Sequence, residues 1–484
     1  MDLVYVITPA ILIFVVLAAV WLDRWSVPVI LVALGGGMFF GSDILQWVHF
    51  DNATLANQVA NFALVFILFQ GGFGITRSDF QAVALPAGGL AVWGVLLTAG
   101  ATFLVLWKLL AWPFSHACLI AAIISSTDAA ATLSILHRFA LPKKLSTALV
   151  LESAANDPMA VLLTTVVVNA LVVGHGQGVF LLLKFAWKFA AAPVFGWLMA
   201  RAALWLFNVL RPQDRGHYYV LFLGVVLLTY GVTETLRASG MLAVFIAGYV
   251  MGNDAFVHKR GVATFSSAFA SIANICTFVL LGLLVFPRQW GDIWLKGLIL
   301  FLVITFISRP IAVFLGTPKM GLGFKNRLFM TWAGLRGSVP IILATYPAAA
   351  GLPESQEIFN LVFFAVLLSV LVQGSTLGVC ARALGLLTAR TRQEPLYSLE
   401  LITMAPSDMD LLVVDLPESI GTDGPRIQDL RLPPDTVITL ISRGEEVISP
   451  LGATQLKGGD QITVLAHAKN SAGVRAALLG GARG

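Results

Sequence analysis

The sequence predicts an all-α polytopic membrane protein followed by a small α+β module, and three observations carry that prediction. The 484 residues are 58% hydrophobic and only 12% charged, against about 25% charged in a typical soluble domain. Apolar runs long enough to cross a bilayer, about 20 residues each, recur from Leu3 to Leu386. Beyond Arg392 the chain turns polar and rich in turn residues. The apolar runs are too long and too uniform for the alternating strands of a barrel. Cys118, Cys276 and Cys380 are scattered in apolar segments, so neither a disulfide framework nor a metal cluster is expected.

About thirteen spans fit the length a bilayer requires. They run Leu3–Leu22, Val27–Leu45, Asn57–Ile75, Leu85–Leu106, Cys118–Leu136, Leu145–Val173, Val179–Leu210, Tyr218–Leu236, Met241–Gly252, Ala268–Phe286, Leu295–Leu315, Leu328–Ala349 and Phe359–Leu387. The first run lacks a basic leader and a small-residue cleavage site, so it reads as a retained helix. Connections on one side carry Arg24, Arg77, Arg138, Lys143, Lys144, Arg211, Arg215, Lys259, Arg260, Lys319, Lys325, Arg327, Arg390 and Arg392. The other side carries Lys108, Arg237 and Arg288. The positive-inside rule therefore places the N-terminus outside and the C-terminus in the cytoplasm. It also accounts for the net charge of +5 without nucleic acid.

Residues 1–387 are thus expected to form the membrane domain, 388–398 a linker and 399–484 a cytoplasmic module. In the module, Leu411–Val414, Thr436–Ile441, Glu446–Ile448 and Gln461–Leu465 read as strands. Arg443-Gly444-Glu445 reads as a hairpin connection and Asn470–Leu479 as a terminal helix.

The sixth span holds Leu151-Glu152-Ser153-Ala154-Ala155-Asn156-Asp157-Pro158. An ionisable group in hydrocarbon costs about 2.5–3.5 kcal/mol on insertion scales, so Glu152 and Asp157 are expected to serve a function. On a helix, Glu152 stacks on Asn156 and Ser153 on Asp157. The oxygens of Ser153, Asn156 and Asp157 can then converge on one small cation. Pro158 removes a backbone N–H and leaves a carbonyl near Ala154 without its helical partner. This arrangement points to Asp157 as a carboxylate that exchanges a proton for a metal ion.

Two further spans carry polar groups at mid-membrane depth. The fifth contains Ser125-Ser126-Thr127-Asp128-Ala129-Ala130-Ala131-Thr132. Its hydroxyls either bond back to their own helix or line an ion site on a broken one. The twelfth contains Trp332-Ala333-Gly334-Leu335-Arg336-Gly337-Ser338-Val339-Pro340. Arg336 stays protonated and needs an anion. Of the buried candidates Glu152, Asp128 and Asp157, Glu152 is the expected partner, because that pairing leaves Asp157 to titrate. Gln70 is a possible accessory to the site. Arg309 and Arg201 are read as snorkelling side chains. No Walker loop or kinase motif is present, so ATP-driven pumping is unsupported and no cofactor is expected.

Two other classes fit the sequence less well. An intramembrane aspartyl hydrolase would use Asp128 and Asp157 as a dyad, but the Gly-x-Gly-Asp setting is missing and Arg336 would be unexplained. A ligand-gated cation channel would need a selectivity filter, and no Thr-Val-Gly-Tyr-Gly sequence is present.

Ser126-Thr127-Asp128, Glu152-Ser153 with Asn156-Asp157-Pro158, and Gly334-Leu335-Arg336-Gly337 together resemble the monovalent cation:proton antiporter family. The wording around them is most similar to its potassium/proton, cell-volume-regulation branch. Leu399–Leu465, which includes Ile427–Thr436, resembles a TrkA-C (RCK C-terminal) domain. The resemblance implies an antiporter fold with inverted repeats and two broken, crossing helices, the fifth and twelfth. Spans four to six and eleven to thirteen would form the moving core, and spans one to three and eight to ten a homodimer scaffold.

It further implies that Asp157 carries proton and cation, that Thr127, Asp128, Ser153 and Asn156 support it, and that Glu152 pairs with Arg336. Asn-Asp at 156–157 goes with electroneutral exchange of K+, or alternatively Na+, for H+ across the inner membrane. Where the family usually has an acidic residue, this chain has Gln70. A small-molecule or nucleotide regulator is expected at the C-terminal module. The Gly-x-Gly-x-x-Gly half of a full RCK domain is missing, so NAD is not expected there.

Overall fold

The computed structural model describes residues 2–22, 29–41, 43–50, 52–77, 93–127, 141–173, 178–210, 214–285, 288, 290–317, 321–387, 409–417, 420–421, 424–444, 446–467 and 470–480. They fall into two compact units. The first takes in residues 1–203, 220–253 and 265–388, and the second 204–219, 254–264 and 389–484.

The described residues of the first unit are mainly helical. Its helices are α1 (Asp2–Leu22), α2 (Val29–Phe40), α3 (Ala53–Phe73), α4 (Trp93–Leu109), α5 (Phe114–Ile123) and α6 (Lys143–Val173). Next come α7 (Gly178–Leu210), α8 (Gly216–Thr235), α9 (Gly240–Asn253) and α10 (Lys259–Leu283), of which α7, α8 and α10 run on into the second unit. The helix α11 runs as Trp290–Val303, a π-helical turn Ile304–Ser308, and Arg309–Gly316. Three pieces follow: α12 (Phe324–Trp332), α13 (Ser338–Leu343) and the short α14 (Tyr346–Ala349). Last is α15, which runs as Ser355–Leu368, a second π-helical stretch Ser369–Gly374, and Ser375–Ala383.

Among the described residues, six helices are long and apolar enough to cross a bilayer, and shorter apolar helices accompany them. They fall where the sequence places spans, with one extension: α10 begins at Lys259, well before the expected Ala268. Large apolar side chains stay exposed along α7, among them Leu183, Trp187, Val194, Trp197 and Trp205. A run of that kind suits hydrocarbon rather than water.

Close helix contact depends on missing side chains. A Cβ on Gly248 would sit 2.2 Å from the carbonyl oxygen of Phe69, and one on Gly72 would sit 2.1 Å from that of Phe245. Only glycine lets α3 and α9 approach this closely. The helix α6 passes through Pro158 without a break.

In the second unit, the C-terminal module is a four-stranded antiparallel sheet. Its strands are β1 (Met409–Asp415), β2 (Val437–Arg443), β3 (Glu446–Ile448) and β4 (Gln461–His467), in the order β1-β4-β2-β3. Gly444, at φ +59°, turns the β2–β3 hairpin. The helix α16 (Ser471–Gly480) buries Val474 and Leu478 against Val414, Ile441, Ile462 and Val464. All four expected strands and the terminal helix are present. The fully buried Asp460 accepts from Arg443 Nε at 2.7 Å and from Nη2 at 2.8 Å.

Candidate functional site

The fifth span breaks where its hydroxyls begin. The helix α5 stops at Ile123; Ser125 N turns back to Ala122 O at 3.3 Å, and Ser125 Oγ donates to the same carbonyl at 2.7 Å. At Ser126 and Thr127 the backbone is not helical. Helix ends leave carbonyls without intrahelical donors, and those carbonyls carry the negative end of the dipole. Here a guanidinium supplies the donor. Arg336 Nη1 donates to Ser125 O at 3.1 Å and to Ser126 O. Arg336 is 1% exposed.

Arg336 reaches this end because the twelfth span is also broken. Its first half, α12, stops at Trp332 and its second, α13, starts at Ser338. The break is capped from α15. Arg336 N donates to Ser369 Oγ at 3.1 Å, Ser369 Oγ donates to Gln373 Oε1 at 2.5 Å, and Gln373 Nε2 donates to Trp332 O at 3.2 Å. Both caps come from the π-helical stretch of α15, a deviation that often marks a functional segment.

The expected Glu152–Arg336 pair is not what forms. Glu152 is held by Arg309 through both guanidinium ends, Nη1 to Oε1 and Nη2 to Oε2, the latter at 3.0 Å. Arg309 Nη2 also donates to Met330 O at 3.2 Å. Arg309 therefore does not snorkel. It starts the last helical segment of α11, directly after the π turn, and is 3% exposed. Gly334 makes room for it, since a Cβ there would lie 2.2 Å from Arg309 Nε. The physical reason for the exchange of partners is that the helix end offers Arg336 carbonyl oxygens, whose partial negative charge and open lone pairs accept its hydrogen bonds.

Asn156 joins α6 to the fifth span. Its Nδ2 donates to Thr127 Oγ1 at 2.7 Å, and its Oδ1 accepts from Thr127 N at 3.4 Å. Both residues are buried. Asp157, the next residue along α6, is half-buried. Gln70 lies near the end of α3, and its buried Oε1 has no hydrogen-bond partner among the described residues. Asp128 and the side chain of Ser153 lie outside the described residues.

The structure thus brings Thr127, Asn156, Glu152 and Arg336 around two helix breaks. It adds three residues not singled out from sequence as site residues: Arg309, Ser369 and Gln373. A signal for the first was present, an arginine next to a proline inside an apolar span. The cluster offers one fully paired carboxylate, one neutralised helix end, and a second carboxylate on the helix pinned to that end.

Comparison with known proteins identifies the family. Residues 10–383 match the family described as the transmembrane sodium/hydrogen exchanger, and residues 413–479 match the TrkA-C domain. The K(+)/H(+) antiporter NhaP2 of Shewanella oneidensis is 34% identical over 455 residues, 93% of this chain and 78% of that protein. The Na(+)/H(+) antiporter NhaH of Halobacillus dabanensis is 32% identical over 319 residues, 62% of this chain and 76% of that one. The solved structure of the sodium proton antiporter MjNhaP1 from Methanocaldococcus jannaschii shares the fold at a TM-score of 0.70 and 23% identity, covering 79% of this chain and 99% of that chain. A multi-pass helical chain with a buried charge cluster beside two helix ends, followed in sequence by a TrkA-C domain, this protein belongs to the sodium/hydrogen exchanger family and is a membrane cation/proton antiporter, not an enzyme.

Proposed function

We propose that the chain exchanges K+ for H+ electroneutrally across the inner membrane by alternating access, with proton and cation competing for Asp157. The observation that carries this reading is the commitment of Glu152 to Arg309. Of the two carboxylates on α6, that one is fixed as a paired charge, and Asp157 takes the exchanging role in this reading. Asn156 bonded to Thr127 holds the Asp157 turn of α6 against the open end of α5. Asp128 and Ser153 complete the oxygen set in this reading.

A single carboxylate that is neutral with either occupant crosses the membrane readily in both loaded states and poorly when empty. That is the physical content of obligatory one-for-one exchange. K+ is favoured because the K(+)/H(+) relative matches nearly the whole chain. The Na(+)/H(+) relative supports Na+ as the second reading.

The N-terminus lies outside and the C-terminal module in the cytoplasm in this proposal, following the loop charges. Residues 1–387 form the exchanger, 388–398 the linker and 399–484 a module that takes a small regulatory ligand. The assembly is a homodimer. The test is proteoliposome exchange with K+ or Na+ across a pH series, with the membrane potential clamped at several values. Rates that favour K+ and ignore potential are expected; current carried by the exchange overturns electroneutrality.

A further inference from the structure

A second set of polar side chains bridges α3 and the end of the twelfth span, and the ion site does not use it. Asn57 and Asn61 stand one turn apart on α3. Asn61 Nδ2 donates to Asn57 Oδ1 at 2.8 Å, and Asn57 Nδ2 donates to Thr345 Oγ1 at 2.8 Å. Tyr346 OH closes the set by donating to Asn61 Oδ1 at 2.6 Å. Thr345 is buried and donates its own hydroxyl to Ile342 O at 2.6 Å. The short helix α14, which begins at Tyr346, packs against both α3 and α6.

Thr164 gives this cluster a direction. It lies on α6 two turns beyond Asp157, on the same face. It is 0% exposed, and its hydroxyl has no hydrogen-bond partner among the described residues. A buried polar group left unsatisfied is costly, and opening toward water would relieve that cost. In the proposed topology α3 begins, and α6 and the twelfth span end, at the outer face. Thr164 then lies on the outward side of Asp157, and the bonded cluster stands between it and that face.

We infer that Asn57, Asn61, Thr345 and Tyr346 are positioning residues for exchange: a latch between α3 and the twelfth span that seals the outer route to Asp157. The inference rests on the antiporter reading, since only an alternating carrier needs such a seal to open and close. Its chemistry suits the task. The bonds are neutral, so ions passing or protons binding at Asp157 leave the latch itself unaltered. Each such bond is modest in net strength, and losing one shifts the closed–open balance by about 2–10-fold.

The test labels a single cysteine at Thr164 with a membrane-impermeant maleimide, in right-side-out and in inverted vesicles. Cys118, Cys276 and Cys380 are replaced by serine in this chain. Tyr346→Phe, Asn61→Ala and Thr345→Val should each raise the outer labelling rate by about 2–10-fold and leave inner labelling unchanged or lower. Thr345→Ser keeps the acceptor oxygen and should label like the parent. An outer rate unchanged in both Tyr346→Phe and Thr345→Val overturns the latch. So does an equal rise from both faces, which is the mark of simple loosening. Labelling decides the latch whether or not the parent chain exchanges ions, and exchange by the parent decides the antiporter reading separately.

Discussion

Arg309 and Glu152, 157 positions apart in the chain, form a two-ended ion pair in which each side chain is only 3% exposed. Such a pair ties α11 to α6 next to both helix breaks. Removing one partner leaves the other charge buried without compensation, a change that typically costs 3–5 kcal/mol. Arg309→Ala and Glu152→Gln are therefore expected to lower thermal stability strongly in detergent, followed by tryptophan fluorescence. The double variant Glu152→Leu with Arg309→Leu should lose less than the two single losses combined. Full additivity would mean that the pair is not coupled in the folded protein.

Arg336 acts on a different partner, and its loss should show a different signature. Arg336→Gln removes the charged donor from the carbonyls of Ser125 and Ser126 but leaves the Glu152–Arg309 pair in place. Hydrogen bonds to charged groups contribute about 1.5–3 kcal/mol. A moderate loss of stability is expected, with cation half-saturation shifted more than in any cap variant of α15. If Arg336→Gln and Glu152→Gln prove strongly coupled in a double-mutant cycle, Arg336 would be the true partner of Glu152.

The caps from α15 give a graded expectation. Ser369→Ala removes the acceptor for Arg336 N, and Gln373→Leu removes the donor to Trp332 O. Each leaves a buried backbone group unsatisfied, worth about 1–3 kcal/mol. Hydrogen exchange measured on full-length protein in lipid discs should show faster opening near residues 332–337 in both variants. Protection equal to the parent chain would show that the break is held by other contacts.

Much of this was legible in the sequence, for physical reasons that can be stated residue by residue. The spans announce themselves through bilayer length, and the module strands through Gly444 and alternating apolar residues. Glu152, Asn156, Asp157 and Arg336 stand out because polar groups in hydrocarbon are costly. The partner of Glu152 was not legible. Choosing between Arg309 and Arg336 needs the course of the backbone at two breaks, and no Gly or Pro marks the first of them at Ile124. Nor does sequence show that the missing Cβ of Gly334 serves Arg309. The outer cluster was hidden for a similar reason: Asn57 and Tyr346 are ordinary span-end residues until the fold sets them side by side.

The module offers an independent check. Asp460 is fully buried and holds Arg443, whose guanidinium is raised above its ordinary pKa chiefly by the hydrogen bond to that carboxylate. A raised value in the folded state means that this contribution is complete below the unfolded pKa and fades only as pH rises through the folded one. No loss is therefore expected from neutral to moderately alkaline pH. Arg443→Ala should instead expose the defect at every pH, with faster hydrogen exchange along β2 and β4 of the full-length chain. Unchanged protection would show that the pair contributes little to the sheet.

Whether one side chain is shared by two kinds of ion is best decided by proton release on cation binding. Purified protein in weakly buffered detergent solution is titrated with K+ while pH and heat are recorded. The wild-type chain should release close to one proton for each K+ taken up, and Asp157→Asn should bind no K+ and release none. Uptake of K+ without proton release, or release that persists in Asp157→Asn, would contradict competition at Asp157.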